Sequence, residues 1–361
     1  MLTNIKIKNA YSIGELDMSL LKGKYAYKKD MVFHDVVNPI SIYGGNGSGK
    51  SSVINALNDL VNLLIQDPDS FYPIIQNFNN KKDNVELELT FRIDNEEYKY
   101  SLSNSNVIEK EILLVNNNPI FTRNNERIII EDKEIKLEGE LHLALRQLYG
   151  IKDELNNKKY IKFAYDYLTN ITIIKSDASE INSKLCNYKN IKDLMIANSE
   201  EIKRVTSSWE DFPVYDFLND ANDEYLNLYF ENGGKCKLPG FLVSDGMFTI
   251  NKILSLLINM DRNSVLVIDM IDRNLHSDTI SNLIKEAQKR DIQLIFTSHN
   301  TNLMQELRPD QIYFAKWKNG YSYYFRLSNI HDNIREINNI EKMYLSNTFD
   351  NAINQIINIE E

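Results

Sequence analysis

Residues 39–52, "PISIYGGNGSGKSS", decide the reading of this chain: an apolar, strand-like run feeds a cluster of glycines, a lysine and two serines, and the amphipathic stretch "VINALNDLVNLLI" follows. Gly44, Gly45 and Gly47 fall within four positions, with Gly49 close behind, out of 13 glycines in the whole chain. Such density marks a backbone that needs room which any side chain would take away. The spacing fits Gly44-x-x-x-x-Gly49-Lys50-Ser51 with a strand before and a helix after, which a bland glycine turn rarely reproduces. In a loop of this kind the backbone N–H groups wrap a phosphate and the helix N-terminus adds positive potential. The segment Gly44, Gly45, Asn46, Gly47, Ser48, Gly49, Lys50, Ser51 and Ser52 is therefore the expected phosphate cradle. Lys50 is expected to reach the outer phosphates, and Ser51 to offer its hydroxyl to Mg²⁺.

The bulk of the sequence is compatible with that reading. A chain of 361 residues, 43% of them hydrophobic, can bury a large core in one or two domains. With 41 Lys and Arg against 51 Asp and Glu, the formal charge of −10 argues against wholesale coating of nucleic acid but leaves room for a local basic patch. Cys186 and Cys236 are too few for a disulfide framework. No cleavable leader or uninterrupted apolar span is legible, so a cytoplasmic setting without membrane association is expected.

Along the chain, "LTNIKIKNA" alternates like an edge strand, and "VELELTFRI", "EEYKYSLS" and "VIEKEILLV" read as an antiparallel meander. From about residue 138 the period changes: "ELHLALRQLYG", "NIKDLMIANSEEIKRVTSSW" and "VYDFLNDANDEYLNLYF" read as helices, interrupted by strand-like "ITIIK". After "GGKCKLPG", helices and strands alternate through "SVLVID" and "IQLIFTSH", the rhythm of a parallel sheet covered by helices. The expected organisation is an N-terminal half-head over 1–137, a helical lobe over 138–235, a second half-head over 236–330 and a helical tail over 331–361.

Two strand ends carry candidate chemistry. "SVLVIDMID" delivers Asp269 to the end of a buried strand beside the glycine loop, where its carboxylate would hold the hydration shell of Mg²⁺. "IFTSHN" ends in Ser298 and His299, and a histidine there could donate to the terminal phosphate and sense it.

The ordered set "GGNGSGKSS", "LVSDGM", "VLVIDMIDRNLH", "LIFTSHN" and "RPDQIYF" resembles the ABC-type heads of prokaryotic AAA-family stand-alone ATPases. These are relatives of the SMC, recombination and OLD-type ATPases, several of them found in phage-defence and abortive-infection systems. The resemblance covers about residues 1–135 and 236–330. It implies an α/β fold, an ABC-type P-loop ATPase head with a mixed sheet, an antiparallel β-meander and an inserted helical lobe. It further implies that Gly44 to Ser51 are the Walker A loop, Asp269 the Walker B aspartate and His299 the switch histidine. Ser244, Asp245 and Gly246 would be the signature that contacts nucleotide held by the opposite subunit, and Leu275 and His276 would lie in the D-loop.

Gln76 falls where such heads carry a Mg²⁺-contacting glutamine. The resemblance thus implies ATP and Mg²⁺, a homodimer closed around them, and an effector partner such as a nuclease or toxin. Two alternatives belong to other classes: a repair ATPase that binds duplex DNA itself, and a nucleotide-gated scaffold without turnover. Two departures bear on chemistry. Met270 stands where the family has the Walker B glutamate, and Met247 where the signature has threonine. Asp272 is the nearby carboxylate that could substitute for the missing base, although a displaced base is a poor one.

"NKKD" at Asn80 to Asp83 matches the guanine-reading motif of GTPases in letters but precedes a meander, so a solvated turn is expected. The lysines of "LLKGKYAYKK" are expected in a charged loop, and His34, His142 and His331 have no metal-ligand spacing.

Overall fold

The computed structural model describes residues 1–66, 73–175, 181–182, 184–185, 191–210, 212–220, 223–229, 234–239, 242–331 and 334–359. Cys186 lies outside them, and Cys236 is an exposed free thiol.

Among the described residues, fifteen strands form one continuous sheet. In its parallel part Ile40–Tyr43 runs parallel to Gln293–Thr297 on one side and to Ile312–Lys318 on the other. Val265–Ile268 and Thr172–Ile174 continue the parallel part beyond Gln293–Thr297, and the short Ile181–Asn182 ends it. In the other direction come Tyr321–Arg326, Ile13–Ser19 and Leu2–Ala10. An antiparallel run follows through Val85–Ile93, Glu96–Asn104, Ile108–Val115, Asn118–Asn124, Arg127–Ile130 and Lys133–Lys136. This is the α/β architecture expected, a mixed sheet extended by a meander. The meander continues to Lys136, well past the three strands legible in sequence.

The pattern of residues explains the two parts. "ISIY", "VLVI" and "QLIFT" are buried at every position, as strands covered on both faces must be. Their alternate side chains enter two cores. Val265, Val267, Ile295, Tyr313 and Ala315 pack with the helix Lys50–Ile65, while Leu266, Ile268, Leu294, Phe296 and Phe314 pack on the opposite side. "VELELTFRI" instead alternates buried and more exposed residues, the signature of a sheet with one wet face.

Four expectations are corrected. "LTNIKIKNA" is not an edge strand: Leu2–Ala10 pairs with Ile13–Ser19 and with Val85–Ile93. "VYDFLNDANDEYLNLYF" is not a helix but two antiparallel strands, Val214–Asp220 and Asp223–Tyr229, joined to Lys235–Pro239 in a small separate sheet. Its aromatic residues suit a pleated, half-buried surface and outweigh the apparent helical period. The helix read from "ELHLALRQLYG" begins only at Ala144. Finally, the helical segments after residue 138 do not form one lobe. Lys158–Thr169 packs in the core that contains Lys50–Ile65, and Thr172–Ile174 joins the main sheet. Ile191–Ala197 and Ser199–Thr206 pack beside Asp245–Asn259 in the other core. The C-terminal helices Ile340–Leu345 and Asp350–Ile359 also lie on that side, where Tyr344 and Phe349 stack on Phe314.

Candidate functional site

The glycine loop leaves the C-terminal end of Ile40–Tyr43 and enters the helix Lys50–Ile65. Gly49, at the helix N-cap, has φ 96°, and a Cβ there would fall 2.1 Å from Ser322 Oγ, so both the conformation and the space require glycine. Three hydroxyls brace this turn, one from the turn between Leu2–Ala10 and Ile13–Ser19 and two from Tyr321–Arg326. Ser12 Oγ lies 2.8 Å from Ser52 Oγ and 2.7 Å from Ser322 Oγ, and Tyr324 Oη donates to the Gly49 carbonyl at 2.7 Å.

Lys50 is buried, and its Nζ donates to the Gly44 and Gly45 carbonyls at 2.9 Å each. Burial pushes its ammonium below the usual lysine value, opposed by the carboxylates of Asp269 and Asp272. Ser51 Oγ donates to Asp269 Oδ1 at 3.0 Å, so the two residues read as Mg²⁺ ligands from separate stretches of sequence meet. Thr297 Oγ1 donates to the same carboxylate oxygen at 2.6 Å and accepts the Met270 N–H at 2.7 Å. Thr297 therefore holds the Asp269 carboxylate and the turn behind it together, a role not legible in "IFTSHN" beyond the presence of a polar residue ending a buried strand.

Met270 sits half-buried with a left-handed φ of 54°. Asp272 accepts the backbone N–H of His299, with its two oxygens at 3.1 and 3.2 Å. His299 is exposed, and its imidazole lies below the ordinary histidine range, first because of partial burial and then because of Lys50, with Asp272 and Asp269 pulling the other way. The strand order thus brings Lys50, Ser51, Asp269, Asp272 and His299 to one end of the parallel sheet.

Two candidates stand apart from this cluster. Ser244 and Asp245 are exposed at the N-terminus of Asp245–Asn259, where Ser244 Oγ accepts the Met247 N–H at 3.3 Å. Gly246 packs so tightly that a Cβ would lie 2.6 Å from the Asn274 carbonyl, which ties the start of Asp245–Asn259 to the turn after Asp272 within one chain. Gln76 is paired through its backbone with Ala10, and its side-chain amide donates to the Asp83 carbonyl at 3.0 Å. None of its described contacts reaches Ser51 or Asp269. Asn80 donates to the Asp83 carboxylate at 2.8 Å, so "NKKD" is the turn expected. In "LLKGKYAYKK", Lys28 is tied to the Gln305 and Leu307 carbonyls at 2.7 and 3.1 Å.

The residues fit a nucleotide with Mg²⁺. Hard oxygens of Ser51 and Asp269 converge, and the buried Ser48 hydroxyl inside the cradle has no protein partner. A strand, glycine loop and helix with a facing strand-end carboxylate define a P-loop ATPase head. The chain belongs to the family described as "AAA domain, putative AbiEii toxin, Type IV TA system", whose profile matches residues 40–305. A search of curated proteins finds no match.

Among solved structures, the SMC head domain from Thermotoga maritima superposes with a TM-score of 0.51 at 16% identity, covering 90% of this chain and 98% of that one. An Smc head from Pyrococcus furiosus gives 0.45 at 13% identity, over 91% of this chain and 97% of that one. The recombination mediator RecF-ATPrS gives 0.39 at 13% identity, over 90% and 98% of the respective chains. The first likeness establishes the fold as that of an ABC-type head. Among the described residues no helix is long and apolar enough to cross a membrane.

Proposed function

We propose that the protein binds ATP·Mg²⁺ in the Gly44 to Ser52 loop, hydrolyses it slowly, and uses the bound nucleotide to join two heads that control an effector protein. The observation that carries this reading is the meeting of Ser51 with Asp269 at 3.0 Å beside a lysine folded onto its own loop carbonyls. Lys50 would exchange those carbonyls for phosphate oxygens, a stronger charge-assisted contact. Ser51 and Asp269 would hold Mg²⁺, which neutralises charge on the phosphates when bound. His299, neutral at pH 7 by the direction of its shift, is suited to hydrogen-bond the terminal phosphoryl group.

Slow turnover follows from Met270. A thioether accepts no proton from water, and a positioned carboxylate base contributes about 10²- to 10⁴-fold in rate. Asp272 is the carboxylate nearest the switch histidine, held by its backbone N–H. By the resemblance to ABC-type heads, Ser244 to Gly246 of one protomer would close on the phosphates held by the other. The toxin named in the family description supports an effector role, and antiviral defence is the setting the resemblance suggests.

Calorimetry of ATP·Mg²⁺ with wild type, Lys50→Ala and Asp269→Asn tests the site. Binding by wild type, lost in Lys50→Ala and losing its Mg²⁺ dependence in Asp269→Asn, is expected. Equal ATP affinity of wild type and Lys50→Ala overturns the assignment. Tight binding of duplex DNA that weakens steeply with salt would favour the repair-type reading instead.

A further inference from the structure

Trp317 is one of two tryptophans in the chain, and it is 55% exposed, whereas Trp209 is buried at 8%. It lies on Ile312–Lys318, the strand beside and parallel to Ile40–Tyr43, three residues past Phe314, which pairs with Tyr43 just before the glycine loop. At strand spacing that carries it about 10 Å beyond the end of Ile40–Tyr43, alongside the loop.

The face on which Trp317 stands is fixed by its neighbours. Along the strand, Tyr313 and Ala315 enter the core that holds the helix Lys50–Ile65, and Trp317 continues that alternating row. Across the strand pair, Trp317 is opposite Ser322 and Ala315 is opposite Tyr324, and directly opposed residues share a face. Ser322 and Tyr324 are the side chains that abut Gly49. Ala315 places its carbonyl 2.4 Å from where a Gly44 Cβ would be. The exposed indole therefore projects from the rim of the cradle on the loop's own side of the sheet.

Sheet order, taken with the proposed roles of Asp269 and His299, gives a bound nucleotide a direction. Asp269 and His299 end strands on one side of Ile40–Tyr43, so the outer phosphate and metal belong there. With the outer phosphate on that side, the inner phosphate and the nucleoside would extend the opposite way, where Ile312–Lys318 and Tyr321–Arg326 flank the loop. We infer that Trp317 is the stacking platform for the nucleotide base. The inference rests on the nucleotide-binding reading above. It supplies what the phosphate loop lacks, since that loop reads phosphates and is indifferent to the base. A π-face accepts any base, so selectivity for adenine over guanine through Trp317 should be weak.

The test uses the full chain and follows tryptophan emission and calorimetry together. ATP·Mg²⁺ is expected to quench Trp317 emission in a Trp209→Phe background. Trp317→Ala is expected to weaken ATP binding about 5- to 100-fold, Trp317→Phe less than about threefold, and neither to alter binding of Mg²⁺·tripolyphosphate, which has no base. At 55% exposure the side chain supports little of the core, so unchanged circular dichroism is expected for both variants. If ATP binds in a Lys50-dependent manner yet Trp317→Ala binds it as tightly as wild type, with no change in Trp317 emission, the stacking inference is overturned while the phosphate site stands. If Trp317→Ala weakens tripolyphosphate and ATP equally, the indole supports the loop and not the base, which also overturns it. Lys50-independent binding of ATP would remove the site reading itself.

Discussion

Lys50 and Met270 carry the site's two most specific consequences. Burial lowers the Lys50 ammonium in the free protein, and a polyphosphate laid against it raises the value again. The bound state then holds more protons, so affinity is complete below the free-state value and falls as pH rises through it. Calorimetry in buffers of different ionisation enthalpy should register proton uptake on ATP binding, growing as the pH approaches that lowered value from below. Met270→Glu should raise turnover at least about tenfold by restoring a base. Asp272→Asn should abolish residual turnover only if Asp272 has taken the role; phosphate release by the purified chain reads both. Much at this scale was open in the sequence, because Lys50 and Ser51 close a spaced glycine loop at the start of a helix, and Asp269 and His299 follow buried strands. Thr297, Ser12, Ser322 and Tyr324 were not, since each acts through a contact between strands distant in the chain and none has a spacing of its own.

Among the elements, the ends of Gln293–Thr297 and Val265–Ile268 are stitched by one hydroxyl. Thr297→Val keeps the shape but leaves the Met270 N–H without its acceptor and removes a donor from the Asp269 carboxylate. A loss of about 1–3 kcal/mol in denaturant unfolding is expected, together with weaker Mg²⁺-dependent ATP binding. The helix Asp245–Asn259 separates two effects that the sequence merges. Any side chain at Gly246 meets the Asn274 carbonyl of its own chain, so Gly246→Val should destabilise the monomer. Ser244 is exposed, and Ser244→Arg should leave the fold near wild type while preventing ATP-dependent dimerisation in light scattering. The elements misread from sequence are those whose pattern is ambiguous by period alone. Val214–Asp220 and Asp223–Tyr229 carry apolar residues at spacings a helix also uses, and only their pairing, Phe217 with Leu226 and Leu218 with Tyr225, decides for strands.

For the whole molecule, the layout of the head could be read because a buried parallel strand, a phosphate loop and a meander each have their own composition. Which strands stand side by side could not, and the parallel part of the sheet depends on that. Ile40–Tyr43 is flanked only by Gln293–Thr297 and Ile312–Lys318, and the Asn38 amide that secures its start donates to the Ile292 carbonyl, 254 positions away. Bringing such distant segments together costs loop-closure entropy before any contact repays it, and topologies of this kind assemble slowly. A chain still emerging from the ribosome therefore carries its complete glycine motif well before the two strands that flank Ile40–Tyr43 have been made. The strands that flank the cradle, Gln293–Thr297 and Ile312–Lys318, follow it by about 250 residues or more in the chain. On the proposed function, nucleotide would then engage only molecules whose flanking strands are in place.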